Sequence, residues 1–197
     1  MKPLRIGIFG GSFDPPHLGH LIVAEYLLHE ADLNKIILVP AFQPPHKMGN
    51  NSALAGHRIA MTRLAARGNK HFMVSDYEIR RGGVSYTVDT LRTLTGQYPL
   101  ASFTLIMGAD SFLEFPSWKS PEEILSMADL VVYPRLGYET APAGTFSRRA
   151  EFVSAPRTDI SSSMIRRRVR DGQSIRYMVP ESVERYIRGK KLYTRKE

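Results

Sequence analysis

His17 and His20 stand three residues apart in the run G-G-S-F-D-P-P-H-L-G-H, which begins with the glycine pair Gly10-Gly11. Residues at that spacing share one face of a helix. If a helix opens here, both imidazoles lie on its first turn, at the positive end of the dipole and beside N–H groups that lack helical partners. Two donors added to that end make an anion site of the kind that takes phosphate. Asp14, Pro15 and Pro16 lie just ahead, where capping residues and proline are expected. As residues alone, the histidine pair also suits plain surface or two metal ligands. The glycine pair and a place at the first strand-to-helix turn favour phosphate. The run is not the dinucleotide fingerprint G-x-G-x-x-G, since no third glycine follows at the required spacing, and this disfavours an NAD-linked dehydrogenase.

A second cluster comes late, in D-I-S-S-S-M-I-R over 159–166. Serines at a helix start cap the backbone and offer hydroxyls to a phosphate. Ile165 and Val169 can then face a core, with Arg166 toward the capped end or solvent. For Arg167, Arg168 and Arg170 a solvated basic face is the simpler reading.

The elements that must position these groups follow from the apolar pattern. Residues 4–9, 35–40 and 102–107 read as short buried strands, with further strands at 72–77, 130–133 and 151–154. Helices fit 18–31, 53–67, 87–97 and 121–127, and two more fit 162–170 and 180–188. Loops are expected at 42–48, around Gly82-Gly83 and over 134–150. Strands alternating with helices predict an α/β, Rossmann-like, doubly wound parallel sheet with helices on both faces. Ligands of such folds sit beyond the C-terminal strand ends, where the order reverses.

With 197 residues, 43% of them hydrophobic, the chain suits one folded domain over 1–197, its C-terminal helical part starting near 160. The sequence holds no cysteine, which excludes a disulfide scaffold, a thiolate nucleophile and a thiolate zinc site. No apolar run reaches the roughly 18 residues of a membrane span, and residues 1–11 make a poor signal peptide, so cytoplasm is the expected location. The net charge is +8, and residues 148–197 alone hold 14 Lys and Arg against 6 Asp and Glu, so the whole excess lies there. That excess suits nucleic acid, an acidic surface or a polyphosphate, and charge does not choose among them.

The first run resembles the H-x-G-H signature of the nucleotidyltransferase superfamily, and I-S-S-x-x-I-R at 160–166 resembles its second signature. Three further segments, Pro44-Pro45-His46-Lys47, Ser85-Tyr86-Thr87-Val88-Asp89-Thr90 and Gly108-Ala109-Asp110 leading to Trp118, extend the resemblance over nearly the whole chain. Together they look like the bacterial nicotinate-mononucleotide adenylyltransferases. The resemblance implies adenylyl transfer from ATP to nicotinate mononucleotide, giving deamido-NAD and pyrophosphate. Mg²⁺ is expected on the ATP phosphates, with no dedicated metal site, because the sequence shows no dense carboxylate cage. The resemblance extends to residue roles. It implies catalytic roles for His17 and His20. It implies ATP contacts for Gly10, Gly11, Ser12, Phe13, His20, Gly108, Asp110, Ser162, Ser163 and Arg166. For nicotinate mononucleotide it implies Ser12, His17, Lys47, Tyr86, Thr87, Asp110 and Trp118.

Physical reasons stand beside these roles. Lys47 can pair with a phosphate as a mobile point charge, Asp110 can accept from a ribose, and Trp118 can stack on a pyridine ring. Equally, a lone tryptophan is often a packing anchor, Thr87 can merely cap its helix, and His46 can merely shape its loop. Two departures are visible. Pro16 replaces the family's usual aliphatic residue, and Arg135-Leu136-Gly137 lacks a central proline, so no function is assigned to that stretch. Expected partners are the two small substrates, without nucleic acid or membrane, and a homo-oligomer is compatible with the sequence. The rivals are an adenylyltransferase for nicotinamide mononucleotide or phosphopantetheine, and a basic nucleic-acid-binding module that has lost catalysis.

Overall fold

Six short apolar runs become six strands, all paired in parallel: Leu4–Gly11 (β1), Lys35–Pro40 (β2), Phe72–Val74 (β3), Ala101–Gly108 (β4), Asp129–Tyr133 (β5) and Ala150–Phe152 (β6). The structure is a computed structural model, and it describes residues 3–43, 53–135, 137 and 145–195. The strand order is β3-β2-β1-β4-β5-β6, the doubly wound order of the Rossmann-like folds. Strands covered on both faces need apolar side chains on both, so they read as continuous apolar runs. The segment K-I-I-L-V-P of β2 does so, with Ile36 to Pro40 all buried.

In chain order the helices are Leu18–Glu30 (α1), Ala55–Ala66 (α2), Tyr77–Arg81 (α3), Thr87–Gln97 (α4), Ala109–Glu114 (α5), Pro121–Met127 (α6), Ser162–Arg170 (α7) and Glu181–Gly189 (α8). On one face of the sheet, Val23, Ala24, Leu27 and Leu28 of α1 pack on Phe9, Ile36, Leu38 and Ile106. On the other, Val88, Leu91 and Leu94 of α4, with Phe112 and Ile124, pack on Ile8, Ile37 and Leu105. Gly7 lets the first layer come close, because a Cβ there would lie 2.8 Å from both Leu33 and Ile106 side chains. A third cluster joins Met61 and Ala65 of α2 to Ile165 of α7 and to Val183 and Ile187 of α8. The last two helices are therefore anchored on α2.

Several boundaries differ from those the sequence suggests. The strand expected over 72–77 stops at Val74, because the Ser75 hydroxyl accepts from Tyr77 N–H and turns the chain into α3. The helix after β4, α5, was not expected. With six residues it is too short to show a helical period. The strand placed at 151–154 runs instead over Ala150–Phe152, and the helix placed at 53–67 spans Ala55–Ala66. Most of the loop expected over 42–48 lies outside the described residues. Among the described residues no helix is long and apolar enough to cross a membrane.

Candidate active site

β1 and β4 are neighbours at the point where the strand order reverses. Beyond their C-terminal ends lie two hollows. One, of about 340 Å³, is walled by His17, Gly19, His20, Asp110, Arg135 and Ser161. The other, of about 310 Å³, is walled by Gly10, Gly11, Ser12, Tyr86, Thr87 and Trp118. Both are therefore where the doubly wound topology puts ligands.

His17 is itself the N-cap of α1, so Asp14, Pro15 and Pro16 precede the helix without capping it. The His17 N–H donates to Nδ1 of His20 at 3.2 Å. Accepting at Nδ1 leaves the neutral His20 ring with its proton on Nε2. The two rings lie nearly stacked, with centroids 3.7 Å apart. His17 is buried, and its Nδ1 has no hydrogen-bond partner among the described residues. Burial, helped by the charge of Arg135, pushes its pKa down to about 4, so at neutral pH it is an uncharged donor. Phe13 holds a positive φ of 47°, costly for a bulky residue, and its buried ring packs 5.0 Å from that of His20.

The start of α7 meets the start of α1. Ser161 caps α7, its hydroxyl accepting from Met164 N–H, and it also walls the first hollow. Ser162 donates to Pro15 O at 2.9 Å. Arg166 donates to Asp14 O at 2.7 Å and to the Ser163 hydroxyl at 3.2 Å. Thr158 lies against Gly19 so closely that a Cβ there would be 2.5 Å from its hydroxyl. Gly19 is thus required by close approach, not by an unusual φ.

Beneath this junction is a buried polar cluster. The Asp14 carboxylate accepts from Ala53 N–H and from the Tyr193 hydroxyl, and its second oxygen lies 3.7 Å from Arg166. Burial and the Asp14 charge both hold the Tyr193 phenol protonated, far above its ordinary range. Arg58 of α2 is also buried, and it donates to the carbonyls of Ser12, Ala41, Phe42 and Ala53. It ties the loop after β1 to the chain leaving β2.

The second hollow is built around the start of α4. No side chain caps that helix, whose N-cap position is Tyr86 and whose first residue is Thr87. Its leading N–H groups are not taken by a cap and lie at the wall of the hollow. Trp118 is half-buried, edge-on to Phe115, so it serves both as packing anchor and as wall. Lys119 lies over the Tyr86 ring at 4.5 Å and 3.4 Å from Asp89. Glu78 is buried at the back, accepting from Thr90 at 2.6 Å. Burial raises its pKa, against the opposing effect of hydrogen bonds from Ser85 and Thr90.

The residues singled out in the sequence thus separate. His17, His20 and Asp110 wall the first hollow, while Gly10, Gly11, Ser12, Tyr86, Thr87 and Trp118 wall the second. Gly108 lies beneath Asp110 and Arg135. Phe13 walls neither hollow, and Ser162, Ser163 and Arg166 brace the chain beside the first. Lys47 and His46 lie outside the described residues. Sequence reasoning missed Ser161, Thr158, Arg135, Lys119, Glu78 and Arg58. Only Ser161 carried a local signal, since it starts the S-S-S run and is the first serine of I-S-S-x-x-I-R at 160–166.

A crevice with two adjoining hollows, one ringed by imidazoles and helix starts, at the reversal of strand order in a doubly wound sheet has the form of a nucleotide-binding site. Residues 8–168 match the cytidylyltransferase-like family. The chain is 45% identical to the probable nicotinate-nucleotide adenylyltransferase of Thermomicrobium roseum, covering 96% of this chain and 91% of that protein. It is 42% identical to the corresponding protein of Salinibacter ruber, covering 96% and 98%. In fold it is similar to the nicotinic acid mononucleotide adenylyltransferase of Plasmodium falciparum solved with NaAD, with a TM-score of 0.77 at 20% identity over 96% of this chain and 97% of that one. The chain belongs to the cytidylyltransferase-like family and, within it, to the nicotinate-nucleotide adenylyltransferases.

Proposed function

We propose that the protein transfers the adenylyl group of ATP to nicotinate mononucleotide, forming deamido-NAD and pyrophosphate. The observation that carries this reading is the meeting of two helix starts at one hollow, with a second, aromatic-walled hollow beside it. ATP takes the first hollow, with its ribose on Asp110, and nicotinate mononucleotide takes the second. Gly10, Gly11 and Ser12 bring backbone close to both reacting phosphates. The acceptor's phosphate oxygen attacks the α-phosphorus in line, and pyrophosphate leaves.

The nucleophile is already an anion, so no base is needed, which agrees with a buried His17 that stays neutral. His17 and His20 give N–H donors to the α-phosphoryl oxygens as charge develops there. Ser163 and Arg166 hold the departing phosphates, and Ser162 acts by holding Pro15. Mg²⁺ enters on the ATP phosphates and offsets their charge. Among the described residues no three of His, Asp and Glu gather as a metal site. The uncapped start of α4, at Tyr86 and Thr87, suits the nicotinate carboxylate, and Trp118 suits its ring. Lys47 is assigned to the acceptor phosphate on its motif alone. The whole of 1–197 acts as one catalytic unit, in the cytoplasm, on small molecules and not on nucleic acid or membrane.

Pyrophosphate release from ATP, measured with nicotinate and nicotinamide mononucleotides in turn, tests the reading. Faster turnover with nicotinate is expected. Equal or faster turnover with nicotinamide overturns the choice of acceptor, and no release with either overturns the reaction.

A further inference from the structure

Arg135 lies two residues past the end of β5, after Pro134, and projects into the first hollow, beside His17, His20 and Asp110. Its stem lies across Gly108, where a Cβ would be 2.9 Å from Arg135 Cγ and 3.2 Å from Cδ. Its guanidinium carbon is 5.9 Å from the centre of the Tyr133 ring, and Tyr133 in turn packs edge-on to Phe9. The side chain therefore rests on a shelf made by the ends of β4 and β5. Its pairing with Asp110 is weak. Nε lies 3.4 Å from both Asp110 oxygens, long for a charge-assisted bond, and both side chains are well exposed. A half-solvated pair of this kind is easily exchanged for a stronger anion.

Arg157 walls the same hollow, and Arg166, beside it, is held differently from Arg135. It is committed to Asp14 O and Ser163 on the α7 side. A triphosphate entering between the starts of α1 and α7 brings net negative charge even with Mg²⁺ on it, and a guanidinium already in the hollow with only a loose partner is placed to meet it. We propose that Arg135 is a substrate-contacting residue of the polyphosphate site, exchanging Asp110 for ATP phosphate oxygens and leaving Asp110 free for the ribose. The proposal rests on the reading of this hollow as the ATP site. It also agrees with the field of Arg135 at His17, which places the cation near that ring. Guanidinium geometry suits two phosphate oxygens at once, and lysine does not reproduce it.

The test is titration calorimetry of wild type, Arg135→Ala and Arg135→Lys with ATP and with pyrophosphate, each with Mg²⁺, beside steady-state kinetics for both substrates. Arg135→Ala is expected to weaken both ligands about 10- to 100-fold, as for loss of charge-assisted bonds. Arg135→Lys recovers part of this, and the KM for nicotinate mononucleotide stays within about twofold. ATP and pyrophosphate binding unchanged in Arg135→Ala overturns the proposal. So does an equal loss for ATP and the acceptor, which marks a merely structural role. If Arg135→Ala does not fold, Arg135→Gln carries the same expectations. Wild type that binds both ligands through Arg135 but transfers nothing to either mononucleotide leaves this assignment standing and removes the proposed reaction.

Discussion

The Ser162 hydroxyl donates to the carbonyl of Pro15 at 2.9 Å, joining residues 147 positions apart. A hydroxyl has one proton. While it serves Pro15, Ser162 has none to offer a phosphate. Ser163 is placed the other way round, since its oxygen accepts from Arg166 and its proton remains to be given. Adjacent serines at the start of α7 thus divide the work between holding the two walls together and meeting the ligand.

Ser162→Ala and Ser163→Ala should therefore separate. The first removes a part-buried bond worth about 1 kcal/mol, which for a chain of this size lowers the thermal midpoint by roughly 2–4 °C. The second should leave the midpoint unchanged within about 1 °C and raise the KM for ATP severalfold. Melting curves and ATP saturation kinetics on both variants decide it. The reverse pattern would show that the roles are exchanged.

His20 has two duties that one substitution can part. Its Nδ1 accepts from the His17 N–H, the place a glutamine or glutamate fills in a capping box. His20→Gln should keep that bond, and with it the stability of the α1 start, while losing the aromatic N–H donor. Removing one preorganised donor of this kind costs about 2.7–4 kcal/mol, or roughly 10²–10³ in kcat. His20→Ala should lose a similar factor and also some stability. Turnover within a few-fold of wild type in His20→Gln would assign the ring to capping alone.

Much of the site is written locally, and some of it is not. H-x-G-H and the serine run are legible because each sits at a helix start, where the need for donors restricts residue type over a few positions. The doubly wound sheet is legible because its strands are buried on both faces and read as unbroken apolar runs. Arg58 is the contrary case. It looks like an ordinary polar position on α2, and only the approach of Ser12, Ala41 and Phe42 from elsewhere in the chain makes it a buried clamp. Arg135 was hidden for a similar reason, since its shelf is made by Gly108 of another strand. The split into two hollows is a property of the crevice, so no single segment could announce it.

The depressed His17 pKa has a consequence for stability. The free imidazole titrates near 6.5 and the folded one near 4, so in that window the unfolded chain binds the extra proton. Stability contributed by this group is full above pH 6.5, falls as the pH drops toward 4, and then levels off. The total is on the order of 3 kcal/mol, since each tenfold change in proton affinity is worth about 1.36 kcal/mol. Urea unfolding of wild type and His17→Gln from pH 7.5 to 4 isolates this group from the carboxylates. The difference between the two should narrow by about that amount. Parallel pH profiles would mean that His17 is not shielded as the structure implies.

Gly19→Ala sets two effects against each other. Alanine gains about 1 kcal/mol over glycine inside a helix, and Gly19 has an ordinary helical φ, so the backbone does not resist. The added methyl, however, would lie 2.5 Å from Thr158 Oγ1 and 3.0 Å from His17 Nδ1. Overpacking typically costs about 1–3 kcal/mol, so the net loss of stability should be small, between nothing and about 2 kcal/mol. Catalysis should suffer more. The methyl pushes apart a segment of the second wall and a ring that must meet the phosphate, and a displacement near 1 Å can cost about 10²-fold in rate. The expected variant is folded, melts within a few degrees of wild type, and has a kcat lowered about 10²-fold. Thr158→Ala in the same chain removes the nearer clash and should restore part of the rate. A wild-type kcat in Gly19→Ala would mean that the approach of Thr158 to the histidine signature does not set the catalytic geometry.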